Sequence, residues 1–232
     1  MIARWVGLAL LPVALACGRK TETVPRDAEK PQGGAPDSSR IDSRSVIVFL
    51  GTSLTAGYGL GDPSLAFPAL IQAKLDSAGR PYRVVNAGIS GESSAGALDR
   101  IDWLLEREPV AVLVIETGAN DGLRGQDPDS VRARIQKIID RAKRSARPPR
   151  LIIAGMEAMP NLGEEYVRRF RAIYPSVARA NGATLIPFLL EGVAGVDSLN
   201  QDDGIHPNLR GERIVAETVW KVIEVVTRPT RA

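Results

Sequence analysis

Five short apolar runs, most of them followed by a stretch with helical periodicity, constrain this chain more than any other feature. Val46-Ile47-Val48-Phe49-Leu50 is apolar at every position, the pattern of a strand covered on both faces rather than one. Residues 82–86, 110–115 and 151–154 and the shorter 184–186 repeat it. Helices are expected over residues 67–78, 97–106, 128–145, 164–180 and 209–226. The 128–145 stretch is the clearest. Asp127 serves as N-cap, Pro128 takes the first helical position, and Val131, Ile135, Ile138, Ile139 and Ala142 fall on one stripe. Pro175 should bend or restart the 164–180 helix, and the last helix should turn Ile214, Val219, Val222, Ile223 and Val226 inward. Strands alternating with helices imply an α/β domain, a three-layer α/β/α sandwich on a five-stranded, mainly parallel sheet. The domain should span residues 45–228.

What precedes it is of another kind. Residues 5–16 are apolar apart from the interruption at Pro12, and Arg4 comes just before them. The run is too short to span a bilayer but suits the apolar region of a signal peptide. It ends Ala14-Leu15-Ala16-Cys17, and Cys17 is the chain's single cysteine. The segment 1–17 resembles a lipobox, which makes Cys17 the expected lipidation site, although Ala14 stands where that motif usually has Leu. Cleavage after Ala16 without lipidation is the alternative. Residues 18–44 are rich in Pro, Gly, Ser and charge, and read as a disordered polar tether. The expected location is the cell envelope, as an exported lipoprotein, or periplasmic or secreted if Cys17 stays unmodified. Contact with a membrane would come through the lipid alone.

Composition removes several classes of function. One cysteine excludes an internal disulfide framework and a Cys-based zinc site, and one histidine, His206, excludes a multi-His metal cage. No metal or cofactor is expected. The net charge of +3 is largely a property of the first 44 residues, which hold seven Lys or Arg and five Asp or Glu. The remainder is close to neutral, so nucleic acid is not an expected partner. A small-molecule ligand and a monomeric protein are.

In parallel sheets ligands bind beyond the carboxyl ends of the strands, so the segments after each run matter most. Gly51-Thr52-Ser53-Leu54-Thr55-Ala56-Gly57-Tyr58-Gly59 lacks the Lys of a phosphate loop and the Gly-x-Ser-x-Gly of an α/β-hydrolase elbow. Taken alone, it reads as a Gly-rich turn in which Ser53 caps a helix. Asn86-Ala87-Gly88-Ile89-Ser90-Gly91 reads as a turn using positive φ, and Gly118-Ala119-Asn120-Asp121-Gly122 as a β-turn. The last segment, Asp202-Asp203-Gly204-Ile205-His206-Pro207-Asn208, sets a carboxylate three residues from the sole imidazole. That spacing in a loop lets both side chains face one point, as an acid–base histidine requires.

Together and in this order, the four segments resemble the conserved blocks of the SGNH (GDSL-like) hydrolases, closest to the bacterial arylesterase and thioesterase/lysophospholipase subgroup. The resemblance extends over residues 46–226 and includes Pro160-Asn161, Ile173-Tyr174-Pro175 and Leu190-Glu191-Gly192-Val193. It implies a flavodoxin-like fold and a serine esterase or thioesterase acting on aryl, thio- or lysophospholipid esters through an acyl-enzyme. Ser53 would be the nucleophile, His206 the general base, Asp203 its orienting partner, and the Ser53 and Gly88 N–H groups with the Asn120 amide the oxyanion hole. The family's first block usually reads Gly-Asp-Ser-Leu. With Thr52 in place of that Asp, the loop is expected to be held differently and activity to be lower. An envelope glycan O-acetylesterase, or an SGNH domain that binds without hydrolysis, are the alternatives.

Overall fold

The computed structural model describes residues 44–228. The signal segment 1–17 with Cys17, and the tether 18–44 apart from Arg44, lie outside the described residues. Strand β1 (Ser45–Gly51) has Val46 to Leu50 buried without exception, which for a strand means both faces are covered. Strands β2 (Tyr82–Gly88), β3 (Val110–Ile115), β4 (Arg150–Ala154) and β5 (Thr184–Ile186) join it in one parallel sheet of order β2-β1-β3-β4-β5. All five expected runs are strands. The half-burial of β2 reflects its place at the sheet edge.

Among the described residues seven α-helices connect and cover the strands: α1 (Ser53–Ala56), α2 (Phe67–Ser77), α3 (Ser94–Arg107), α4 (Ala119–Leu123), α5 (Pro128–Arg144), α6 (Glu164–Asn181) and α7 (Leu209–Val226). Helix α2 packs on α7, whereas α5 packs between α3 and α6. This completes the three-layer α/β/α arrangement. The α5 stripe is buried as its spacing requires, and Asp127 accepts the Ser130 N–H at 3.0 Å as N-cap.

Two local expectations need correction, and one alternative of a third is excluded. Helix α6 runs through Pro175 as one element, without a restart. Phe170, Ile173, Tyr174, Val177 and Ala178 are buried on both sides of the proline, and this packing outweighs the missing backbone bond. In α7 the fully buried stripe is Val215, Ala216, Val219 and Ile223; Ile214, Val222 and Val226 are only half-buried on its flanks. Asn120-Asp121-Gly122 lies in the short helix α4, not in a β-turn. A Cβ on Gly122 would come within 3.0 Å of the Phe170 ring, so glycine serves packing there.

Buried carboxylates tie the helices together. Asp121, fully buried, accepts both the N–H and the Oγ–H of Ser94 at 2.7 Å and so caps α3 from the short helix α4. Glu212 on α7 accepts the Phe67 N–H at 2.7 Å and caps α2. Burial pushes the Glu212 carboxyl up to about 7. A carboxyl whose pKa rises on folding favours the native state below its unfolded pKa, and that advantage is lost as pH rises through the folded one. Urea unfolding of Glu212→Gln against the native chain should therefore show a difference that moves in the variant's favour between about pH 5 and pH 8, by up to ~3 kcal/mol. A difference independent of pH would contradict the assignment.

Candidate active site

At the carboxyl end of β1 the chain turns sharply into α1. A Cβ on Gly51 would fall 1.9 Å from Thr55 Oγ1, so only glycine permits the turn. Thr52 is the N-cap residue, yet its side chain makes no capping bond, and Ser53 opens the helix. Ser53 is therefore not a cap. Its hydroxyl instead lies 2.8 Å from His206 Nε2.

His206 is delivered by the loop before α7. Asp203 Oδ1 accepts the N–H groups of Ile205 and His206 at 2.9 and 3.0 Å, and Oδ2 lies 2.7 Å from His206 Nδ1. The backbone bond from His206, then the one from its side chain, then that from Ile205 bring the Asp203 carboxyl down to about 2. The carboxylate selects the imidazole tautomer with hydrogen on Nδ1, leaving Nε2 to accept from Ser53. The loop is tethered by Gln201, whose N–H donates to His206 O at 2.8 Å and whose Nε2 donates to Tyr58 O at 2.7 Å. The Tyr58 ring lies against the imidazole with centroids 4.7 Å apart.

The other wall comes from the turns after β2 and β3. Asn120 stands in the first turn of α4, and one of its amide hydrogens donates to Glu92 O at 3.1 Å. The second is left for a ligand. Gly88 is not brought to this point. Its N–H donates to Asn86 Oδ1 at 3.0 Å, and a Cβ there would sit 2.3 Å from the Ala56 nitrogen. Glycine at 88 thus allows backbone to pack on backbone, and its φ is not positive. Gly91, three residues on, has φ +78° and faces the same space as Ser53 and Asn120. Its N–H has no partner among the described residues.

Two further groups escape the sequence reading. Glu116, 1% exposed, directly follows β3. It accepts the Thr52 N–H at 2.7 Å, the Thr52 hydroxyl at 3.0 Å and the Thr55 hydroxyl at 2.9 Å. A carboxylate directly after an unbroken apolar strand was the available signal. Arg100 pairs with Glu92 at 2.7 Å and donates to Ala87 O at 2.7 Å, which braces the turn carrying Gly91.

Ser53, Asn120 and His206 meet at a cavity of about 640 Å³, whose walls include Leu54, Leu123, Met156, Met159, Phe188 and Leu190. A few polar groups converge at one point of a mostly apolar pocket, the usual character of a small-molecule site.

The chain is similar to known proteins in sequence and fold. The model of the GDSL-like lipase/acylhydrolase family matches residues 49–214. Esterase TesA of Pseudomonas aeruginosa is 40% identical over 179 residues, covering 77% of this chain and 88% of the relative. The thioesterase 1/protease 1/lysophospholipase L1 of Escherichia coli is 35% identical over 185 residues, covering 80% and 86%. The crystal structure of the psychrotrophic esterase EstA from Pseudoalteromonas sp., inhibited by monoethylphosphonate, superposes with a TM-score of 0.73 at 30% identity and covers 78% of this chain and 97% of its own. The chain belongs to the GDSL-like lipase/acylhydrolase family.

Proposed function

We propose that this protein is a serine carboxylic ester hydrolase that cleaves aryl, thio- or lysophospholipid acyl esters through an acyl-enzyme on Ser53. The observation that carries the reading is the unbroken contact from Asp203 through His206 to Ser53, at 2.7 and 2.8 Å. A serine hydroxyl is a weak nucleophile until a neighbouring base takes its proton, and His206 Nε2 is within reach to do so. Ser53 Oγ attacks the ester carbonyl while its proton passes to Nε2, and Asp203 stabilises the imidazolium without taking the proton. The tetrahedral oxyanion receives the N–H groups of Ser53 and Gly91 and the free amide hydrogen of Asn120. Gly91 replaces Gly88 in this role, because the Gly88 N–H is held by Asn86. Collapse expels the alcohol or thiol, which takes the proton from Nε2. Water then repeats the sequence on the acyl-enzyme and frees the acid.

The relatives' names, esterase and thioesterase/lysophospholipase, fit this chemistry. The cavity favours an acyl chain over an acetyl group, since its apolar walls offer contact well beyond two carbons. That preference weakens the O-acetylesterase reading. Action as a monomer is part of the same proposal. No helix among the described residues is long and apolar enough to cross a membrane. Export and lipidation at Cys17 complete the proposal, with mass spectrometry of the mature amino terminus as their check.

Hydrolysis of p-nitrophenyl esters should fall at least ~10³-fold in Ser53→Ala and in His206→Ala, because the triad acts as a unit. Retained turnover in His206→Ala would exclude the mechanism, since the chain has no second histidine. Truncating Asn120 to Ala should cost about 10²–10³ in kcat, with smaller change in KM.

Chain length gives an independent reading of the cavity. Each methylene buried against its walls is worth about 0.8 kcal/mol, so kcat/KM should rise up to ~4-fold per added carbon from acetate until the cavity is filled. A series that peaks at acetate would instead favour the glycan O-acetylesterase.

A further inference from the structure

Glu116 is a buried ionisable group to which the proposed chemistry assigns no task. It is fully buried, and the groups bonded to it are the two threonines on either side of the Ser53-Leu54 dipeptide. The Thr52 N–H and the Thr52 and Thr55 hydroxyls all point at one carboxyl, so the turn that presents Ser53 is gripped from beneath at both ends. Gly51, whose absent side chain leaves room for Thr55 and Glu116 Oε2, belongs to the same arrangement.

We propose that Glu116 is a positioning residue for the nucleophile: its carboxylate charge holds Thr52 and Thr55 so that Ser53 Oγ meets His206, and taking up a proton loosens that hold. This rests on the reading of Ser53 as the nucleophile. An ionised carboxylate accepts every hydrogen bond offered to it, whereas the neutral acid must donate one. The Thr52 N–H cannot turn round. Protonation therefore forces a threonine hydroxyl to become the acceptor and to surrender its own bond to Glu116. A displacement of the order of 1 Å at a reacting atom is enough to cost about 10²-fold in rate.

The surroundings leave this proton to Glu116 alone. Thr52 and Thr55 on the nucleophile turn are neutral. From α6, Tyr174 has its phenol raised well above the ordinary range, by burial first and then by the charges of Glu116 and Asp121. Asp121 is occupied with Ser94 and with Arg134 at 3.3 Å. Asp203 and His206 stand on the far side of Ser53, and Arg100 is paired with Glu92. Among the described residues no Lys or Arg is bonded to Glu116. Burial pushes it up to about 7, against the opposing pull of its threonine bonds.

The test is the acid limb of kcat/KM against pH for a p-nitrophenyl ester, with recovery of activity on return to about pH 8 as the control for unfolding. Loss of the base at His206 and loosening at Glu116 should together make part of the native logarithmic profile steeper than slope one, with the slope returning to one once Glu116 is protonated. Glu116→Gln, of the same shape but fixed as neutral, should show a slope of one and a plateau lowered about 10- to 100-fold, mainly in kcat. Thr52→Val, which removes one of the hydroxyls held by the carboxylate, should also lower the plateau, while Thr52→Ser, which keeps the hydroxyl, should retain the native profile with its steeper section. A native slope nowhere steeper than one, or a Glu116→Gln profile that superposes on the native one, overturns the proposal. Full turnover in Ser53→Ala would instead remove the nucleophile assignment beneath it, a separate failure.

Discussion

The 2.8 Å contact between Ser53 and His206 joins residues 153 positions apart, and much of the architecture is what makes that contact possible. Ser53 sits where it does because β1 lies inside the sheet with parallel neighbours on both sides, so its carboxyl end opens beside those of β2 and β3. The sheet order reverses about β1, and the crevice beyond such a switch point is where an open α/β sheet can admit a ligand between its connections. His206 reaches the crevice from the opposite end of the chain. Helix α7 packs on α2, Glu212 bonds the first turn of α2, and Gln201 bonds the loop carrying Tyr58. These contacts fix the loop from Asp202 to Asn208 against the Ser53 turn.

What could be read from the sequence divides along this line. The strands and helices were legible because hydrophobic period is local: Val46 to Leu50 or the α5 stripe announces its burial within a few residues. The Asp203–His206 pair was legible for the same reason, three residues apart in one loop, and Ser53 followed from family resemblance and chain order. Gly88 against Gly91 shows the limit. Both are glycines in one turn, and nothing in Asn86-Ala87-Gly88-Ile89-Ser90-Gly91 says which N–H faces the cavity. That is decided by Asn86, which bonds the Gly88 N–H and the Thr55 carbonyl, and by the approach of α1 to Gly88. Tertiary contacts chose the donor. The continuity of α6 through Pro175 is a further case, since burial on either side of a proline overrides a local rule.

Support for the oxyanion side is polar and largely buried, so it rests on complete satisfaction of its members. Arg100 is bonded to Glu92 through two nitrogens and also to Ala87 O; Glu92 in turn offers its backbone carbonyl to Asn120. Removing either partner of such a pair strands a charge away from water, which costs far more than an exposed ion pair contributes. The arrangement adds little to net stability for the same reason. What it does secure is orientation: it holds the Asn120 amide and the Gly91 turn, which on the proposed mechanism means that the oxyanion donors need no rearrangement when charge develops on the oxygen.

Thr52 belongs to the same logic. Threonine at residue 52 brings no charge of its own against the buried Glu116 carboxyl. It offers an N–H and an O–H to the same acceptor, and Thr55 adds a third donor one helical turn on. The charge that meets the Ser53 turn in this chain stands at the end of β3. There it is shielded from solvent and held by neutral donors alone. The residue that departs from the family pattern and the buried acid that the sequence reading passed over are two halves of one interaction.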